Sequence, residues 1–169
     1  MSNAIYAALT RQDGLLREMQ VIANNMANSS TTGFKSNHAI FAEHIAAVGD
    51  QSESLSMGSL AGHNFDLSQG GMKHTGGQFD LAIHGDGFFV LDTPAGERLT
   101  RGTMFAAPNG HQPIEEPSVI QGTLEQSNVS SILEVSRLIE VQRAYEAGQT
   151  LIEKEDDRIN QLIKTIRQL

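Results

Sequence analysis

The chain has 169 residues, twenty acidic and twelve basic side chains, a net charge of −8 and no cysteine. It is long enough for a real core, while the lack of cysteine excludes disulfides, thiol chemistry and cysteine-ligated metal. No stretch approaches the ~20 apolar residues of a membrane span, and the first residues lack the basic start and apolar run of a cleavable signal peptide, so direct membrane insertion is not expected and any export is expected to proceed without a cleaved leader.

The charge is unevenly placed. Residues 1–49 hold three acidic and three basic residues, residues 50–128 ten and three, and residues 129–169 seven and six. Twelve of the sixteen glycines also fall between residues 50 and 128. The chain therefore reads as two glycine-poor ends around an acidic, glycine-rich middle. No basic stripe exists to meet phosphates, which excludes nucleic acid as a partner.

At the N-terminal end, Ile5, Ala8, Gln12, Leu15, Met19, Ile22 and Met26 alternate spacings of three and four. Six of the seven are apolar, the a/d pattern of a helix seam. The spacing predicts a helix over residues 3–27, capped by Ser2 or Asn3 and roughly 38 Å long. It runs into Asn24, Asn25 and Asn28, then Ser29, Ser30, Thr31, Thr32, Gly33, Phe34 and Lys35. Asparagine bonds open backbone groups at a helix end, so Asn28 reads as the C-terminal stop, with Asn24 and Asn25 as polar register contacts between packed helices and Phe34 as an anchor past the turn.

Residues 35–63 read as a helix or loop connector, with the serine- and glycine-rich residues 50–63 as loop. Between residues 64 and 105 short apolar runs are divided by glycine pairs and by Pro94-Ala95-Gly96, which predicts strands and turns. Phe79, Leu81 and Ile83 alternate with Asp80, Ala82 and His84, as in a half-buried strand. Gly85-Asp86-Gly87 then leads to Phe88-Phe89-Val90-Leu91, and this pair is the expected hairpin. Residues 106–127, with Pro108, Pro113 and Pro117, read as a linker.

The C-terminal helix is expected over residues 128–169. Leu138, Tyr145, Ile152, Ile159 and Ile166 recur every seven residues, accompanied by Val141, Leu162 and Leu169, while Gly148 and Glu155 interrupt the second row. Asn128 is the candidate N-cap, and Ser131 with Glu134 has capping-box spacing one turn later. Glu134 with Arg137, Glu140 with Arg143 and Glu155 with Arg158 are i,i+3 pairs of a few tenths of a kcal/mol each. At about 40 residues and roughly 60 Å this helix outruns the first. Its surplus apolar stripe should meet another subunit, since each large side chain left exposed forgoes ~1.5–3 kcal/mol.

Catalytic or ligand chemistry finds no support. Gly85-Asp86-Gly87 supplies two glycines of a dinucleotide fingerprint, but Val90 follows where the third belongs, and a strand follows instead of a helix. Six histidines are scattered without ligand spacing, Glu115-Glu116 lies among prolines, and no G-x-S-x-G elbow presents a serine. The expectation is no enzyme, no cofactor, no metal and no small-molecule substrate. A small enzyme built around Asp86 and His84 is the rival this leaves weakest.

"VIANNMANSSTTGFK" resembles the N-terminal signature of the bacterial flagellar axial proteins, the rod and hook family: an apolar helix ending in A-N-N-x-A-N, then T-x-G-F-K or T-x-G-F-R. Three further stretches agree in order. "DLSQGGMKHTGGQFDLAIHGDGFFVL" is similar to the family's core hairpin region, "TPAGERLTR" continues it, and "VIQGTLEQSNVS" with "EVSRLIEVQRAYEAGQTLI" is similar to its C-terminal signature. The resemblance implies an α+β fold, with terminal helices in an inner coiled-coil layer and a β-rich outer middle.

It also implies a structural role, in which subunits pass through the flagellar type III export apparatus and stack on themselves and on other proximal and distal rod proteins. The product is the torque-transmitting rod of the basal body across the periplasm. Residues 1–34, as helix and polar junction, and 128–169 would then be the assembly elements. The contacts would come from Ile5, Met19, Ile22, Met26, Leu138, Tyr145, Ile152, Ile159 and Ile166. A distal-rod or hook-type member, or a secreted coiled-coil adaptor outside the flagellum, is the alternative. Family members usually carry further strands between "GERLTR" and the C-terminal signature, where this chain has few residues, so the middle reads as shortened.

Overall fold

The computed structural model describes residues 3–48, 53–93, 96–104 and 118–167. Among the described residues two helices flank nine strands: α1 (Asn3–Ala27), β1 (Asn37–Val48), β2 (Glu53–Phe65), β3 (Met72–His74), β4 (Asp80–His84), β5 (Phe89–Thr93), β6 (Gly96–Thr100), β7 (Gly102–Met104), β8 (Ser118–Gln121), β9 (Thr123–Glu125) and α2 (Ser131–Ile166). The class is α+β, with small antiparallel sheets between terminal helices. The chain divides into two compact units. Met1–Ala23, His38–Asn64 and Val135–Leu169 form one, Asn24–Asn37 and Phe65–Glu134 the other. No helix among the described residues is long and apolar enough to cross a membrane.

In the first unit the two helices run antiparallel, because rising numbers on α1 meet falling numbers on α2. Leu9 shares a groove with Ile152, Gln12 Nε2 donates to the Tyr145 carbonyl at 2.8 Å, and Glu18 lies 4.0 Å from Arg137. Val141 and Ile22 are buried. The β1–β2 ribbon belongs to the same unit. Phe41 on β1 lies over Gly14 of α1, where a Cβ would come within 3.1 Å of the ring. A mid-helix glycine ordinarily weakens a helix by about 1 kcal/mol, and here it makes room for that ring.

The second unit is built from three small sheets. β4 is the middle strand of one, with β7 and β8 on either side, while β3 pairs with β9 and β5 with β6. Ala82 and Ile83 form its apolar centre. Gly122, at a φ of 74°, turns the chain from β8 into β9. Its N–H bonds the Asp80 carbonyl at 2.8 Å, and its own carbonyl accepts from Thr75 and Gly76, so one turn links two sheets.

Four sequence expectations are corrected. The Gly85-Asp86-Gly87 turn does not close a hairpin, because β4 already has a neighbour on each edge; β5 pairs instead with β6, with Val90 opposite Leu99. Phe79 is 62% exposed although it shares the alternation of Leu81 and Ile83, because β4 begins one residue later, at Asp80. The connector of residues 35–63 is not helix or loop where described but mainly the ribbon β1–β2; backbone pairing satisfies its polar groups whatever the serine and glycine content. The linker of residues 106–127 is described only from Ser118, and there it forms β8 and β9. Residues 105–117, including Pro108, Pro113 and Pro117, lie outside the described residues.

The α2 boundary also moves. The helix starts at Ser131, with the Glu134 N–H bonding the Ser130 carbonyl at 3.0 Å, so Asn128 is not its N-cap. The Glu155–Arg158 pair forms as expected, at 2.8 Å. Replacing Ile83 by alanine should lower unfolding free energy by ~3 kcal/mol, whereas Phe79→Ala should change it by less than about 0.5 kcal/mol. Denaturant melts followed by circular dichroism measure both, and equal effects would contradict the burial pattern.

Candidate functional site

The polar end of α1 is satisfied locally. The Asn28 N–H reaches the carbonyls of Asn24 and Asn25, both at 3.1 Å, and its side-chain amide donates to the Asn24 carbonyl at 2.9 Å. Ser29 Oγ donates to Met26 O, and Thr31 Oγ1 to Asn28 Oδ1. Carbonyls that a helix end leaves open thus find partners within one turn. Gly33 supplies the left-handed step, with a φ of 68°, and its N–H bonds the Glu125 carbonyl at 2.8 Å. Thr32 is exposed and Phe34 half-buried.

The three asparagines have different places. Asn24 is exposed. Asn25 is fully buried, and its amide reads the backbone of Asn37 as a neighbouring strand would: Oδ1 accepts from Asn37 N at 2.9 Å, and Nδ2 donates to Asn37 O at 2.8 Å. Its second amide hydrogen points to Glu134 Oε2, 3.3 Å away in the first turn of α2. The same side chain therefore meets the first residue of β1 and the start of α2.

Lys35 ends the stretch in a buried ionic cluster. Its Nζ donates to Ser68 O at 2.5 Å and to Glu125 Oε1 at 2.7 Å. Glu125, on β9, is wholly buried; Oε1 also accepts from Gly70 N at 2.8 Å and lies 3.8 Å from Arg101 Nη1. Oε2 has no hydrogen-bond partner among the described residues. Arg101, 3% exposed, donates through Nε to Gly87 O at 2.7 Å and through Nη2 to Gly85 O, with its guanidinium 5.4 Å from the centre of the Phe88 ring. That explains Gly85-Asp86-Gly87-Phe88, which wraps an arginine instead of closing a hairpin. Gly85 and Gly87, with φ of 98° and 130°, adopt the backbone that carries both carbonyls to it.

Asn128 completes the junction. Its Oδ1 accepts from Ser36 N at 2.7 Å, and its Nδ2 donates to Asp66 O at 2.8 Å, so one amide holds residue 36 to the chain leaving β2. Sequence reasoning singled out Asn25 and Lys35 but gave no role to Glu125 or Arg101, and gave Asn128 a different one. The available signal was charge: Arg101 and Glu125 are isolated opposite charges at the ends of short strands in stretches that resemble the family pattern.

The seam residues are less uniform. Ile22 is buried; Ile5, Met19, Met26, Leu138, Tyr145, Ile152 and Ile159 are half-buried; Ile166 is 72% exposed. Among the described residues no group of three histidine, aspartate or glutamate side chains is placed to hold a metal ion.

Breaking a buried ion pair by removing one partner costs ~3–5 kcal/mol. Glu125→Gln should therefore destabilise the second unit by about that much, while Asp13→Asn, which removes an exposed pair with Arg17, should change stability by less than about 0.5 kcal/mol. Asn25→Leu should lower the melting temperature, and Asn24→Leu should leave it within error. Calorimetry of the four variants checks both contrasts.

Two family models match the chain, "Flagella basal body rod protein" over residues 5–35 and "Flagellar basal body rod FlgEFG protein C-terminal" over residues 120–165. Between them they take in Asn25, Lys35, Glu125 and Asn128. The flagellar basal-body rod protein FlgF of Caulobacter vibrioides is 29% identical, across 87% of this chain and 91% of the relative. The FlgF of Mesorhizobium japonicum is 26% identical across 98% of each. The rod protein FlgG of Bacillus subtilis is 30% identical across 64% of this chain and 46% of its own length. The first two matches run over 222 and 239 positions, more than the 169 residues of the chain, so these relatives carry segments it lacks. The two family models, with F-type relatives aligned over most of the chain, support a flagellar basal-body rod protein of the F type, a structural axial subunit.

Proposed function

We propose that the subunit assembles through α1 and α2, which join the corresponding helices of neighbouring subunits in a coiled-coil layer. The observation that carries this reading is the uncovered end of α2. With 25 residues α1 is shorter than the 36 of α2, roughly 38 against 54 Å, and the pairing is antiparallel. Beyond the reach of α1, Leu162, Ile163 and Ile166 are 52–72% exposed on a helix whose heptad pattern continues to that point. Three adjacent aliphatic side chains left in water form the kind of stripe that a second helix covers.

The neighbours are copies of the same chain and the proximal and distal axial proteins whose names appear among its relatives, including rod and hook proteins. The contacts are made by Ile5, Met19, Ile22 and Met26 on α1 and by Leu138, Tyr145, Ile152, Ile159 and Ile166 on α2. The stack is the torque-transmitting rod of the basal body across the periplasm. Delivery runs through the flagellar type III export apparatus.

The double variant Leu162→Glu, Ile166→Glu tests the reading by complementation in a motile host lacking its own F-type rod protein. The variant should keep the circular dichroism of the parent, fail to enter purified basal bodies and leave the cells non-motile. Phe79→Glu, which also charges an exposed apolar site, should assemble. Basal bodies containing the double variant at parental levels would refute assembly through this stripe.

A further inference from the structure

Two departures from the heptad patterns meet each other. In the α1 seam Gln12 is the single polar residue, and in the second row of α2 Gly148 has no side chain. The Gln12 side chain, 8% exposed, occupies the place a Gly148 Cβ would take: a Cβ built there overlaps Gln12 Nε2 and lies 3.2 Å from Cδ. From that notch Nε2 donates to the Tyr145 carbonyl at 2.8 Å. A carbonyl only accepts, which sets the amide orientation, and Gln12 Oε1 is left buried without a hydrogen-bond partner among the described residues.

We infer that Gln12 and Gly148 form a register key that selects one antiparallel alignment of α1 on α2. Large residues recur every seven positions along α2, at Leu138, Tyr145, Ile152, Ile159 and Ile166, so apolar packing alone tolerates a slip of one heptad. Gly148 is the single glycine of α2, and one heptad either way the notch position holds Val141 or Glu155. There a Cβ blocks the amide from the backbone carbonyl, and the whole Gln12 amide is buried unpaired, which is strongly disfavoured. The unpaired Oε1 of the correct register is the smaller penalty accepted for discrimination, as polar seam residues accept in other helix pairs. Pairing α2 with a second α2 leaves the notch empty, so the key also disfavours that partner. The inference goes beyond assembly of the rod and holds for the isolated chain whether or not the stripe at the end of α2 mediates assembly.

The sign of one substitution separates this key from ordinary helix packing. Glycine to alanine inside a helix ordinarily stabilises it. Here Gly148→Ala in the full chain should lower the melting temperature by roughly 3 °C, whereas in a Gln12→Ala background the same change should raise it. Register is read separately. The chain has no cysteine, so nitroxide labels on Gln20→Cys and Glu140→Cys report one distance by electron double resonance. The parent should give one narrow distribution, and Gly148→Ala should broaden or shift it, since a slip of one heptad moves the helices by about 10 Å along their axes. A rise in melting temperature for Gly148→Ala in the parent, a broad parental distribution, or an unchanged distribution in Gly148→Ala would each overturn the key.

Discussion

The junction depends on a carboxylate kept wholly out of water. Glu125 is tolerable there because Lys35 donates to it directly, Gly70 N–H adds a second bond, and Arg101 stands within ion-pair distance. A buried charge of this kind contributes little net stability, since desolvation offsets most of the attraction. It contributes placement: the end of the α1 turn, the loop after β2, the strand that precedes β7 and the strand before α2 must all arrive at one point for the charge to be satisfied. Apolar contacts in so small a unit, centred on Ala82 and Ile83, leave more freedom.

Asn25 and Asn128 extend the same logic with neutral groups. Each amide offers a donor and an acceptor, and each spends both on backbone groups of a segment without regular structure or at a strand's first residue. Side chains thus replace the ladder that the stretch between α1 and β1 lacks, which satisfies the demand that buried backbone groups be paired. Polar residues concentrate here for that reason, and the asparagines that look misplaced in a helical pattern are the ones that carry it. Of the three, Asn25 faces the junction, Asn28 closes the helix, and Asn24 contributes a carbonyl.

In the helical unit the organising feature is steric. Gly14 admits Phe41, and Gly148 admits Gln12, so each helix carries one gap that another element fills. A leucine-rich seam would bury more surface without distinguishing registers. In the proposed assembly the surplus length of α2 beyond α1 leaves a stripe for neighbouring subunits, which a stripe covered within one chain would not.

How much was legible in the residues follows from the range of the interactions. Both helices were visible because their signals are local: a 3.6-residue periodicity, carried by side chains a turn apart, placed α1 at its observed ends and α2 within three residues at each end. The family signature likewise lies in contiguous runs, and Lys35 and Asn25 stood out within them. Strand partners did not, because β4 pairs with strands both before and after the undescribed stretch, and nothing in residues 79–91 records that its edges are already taken. β2 was hidden because its serines and glycines read as loop, and only pairing with β1 made a strand of it. The meetings of Lys35 with Glu125 and of Gln12 with Gly148 join residues far apart in the chain, so sequence by itself determined the two helices and the family resemblance. The tertiary structure alone decided which isolated charge meets which, because a buried ion pair or a steric notch exists only once distant segments have been brought to contact distance.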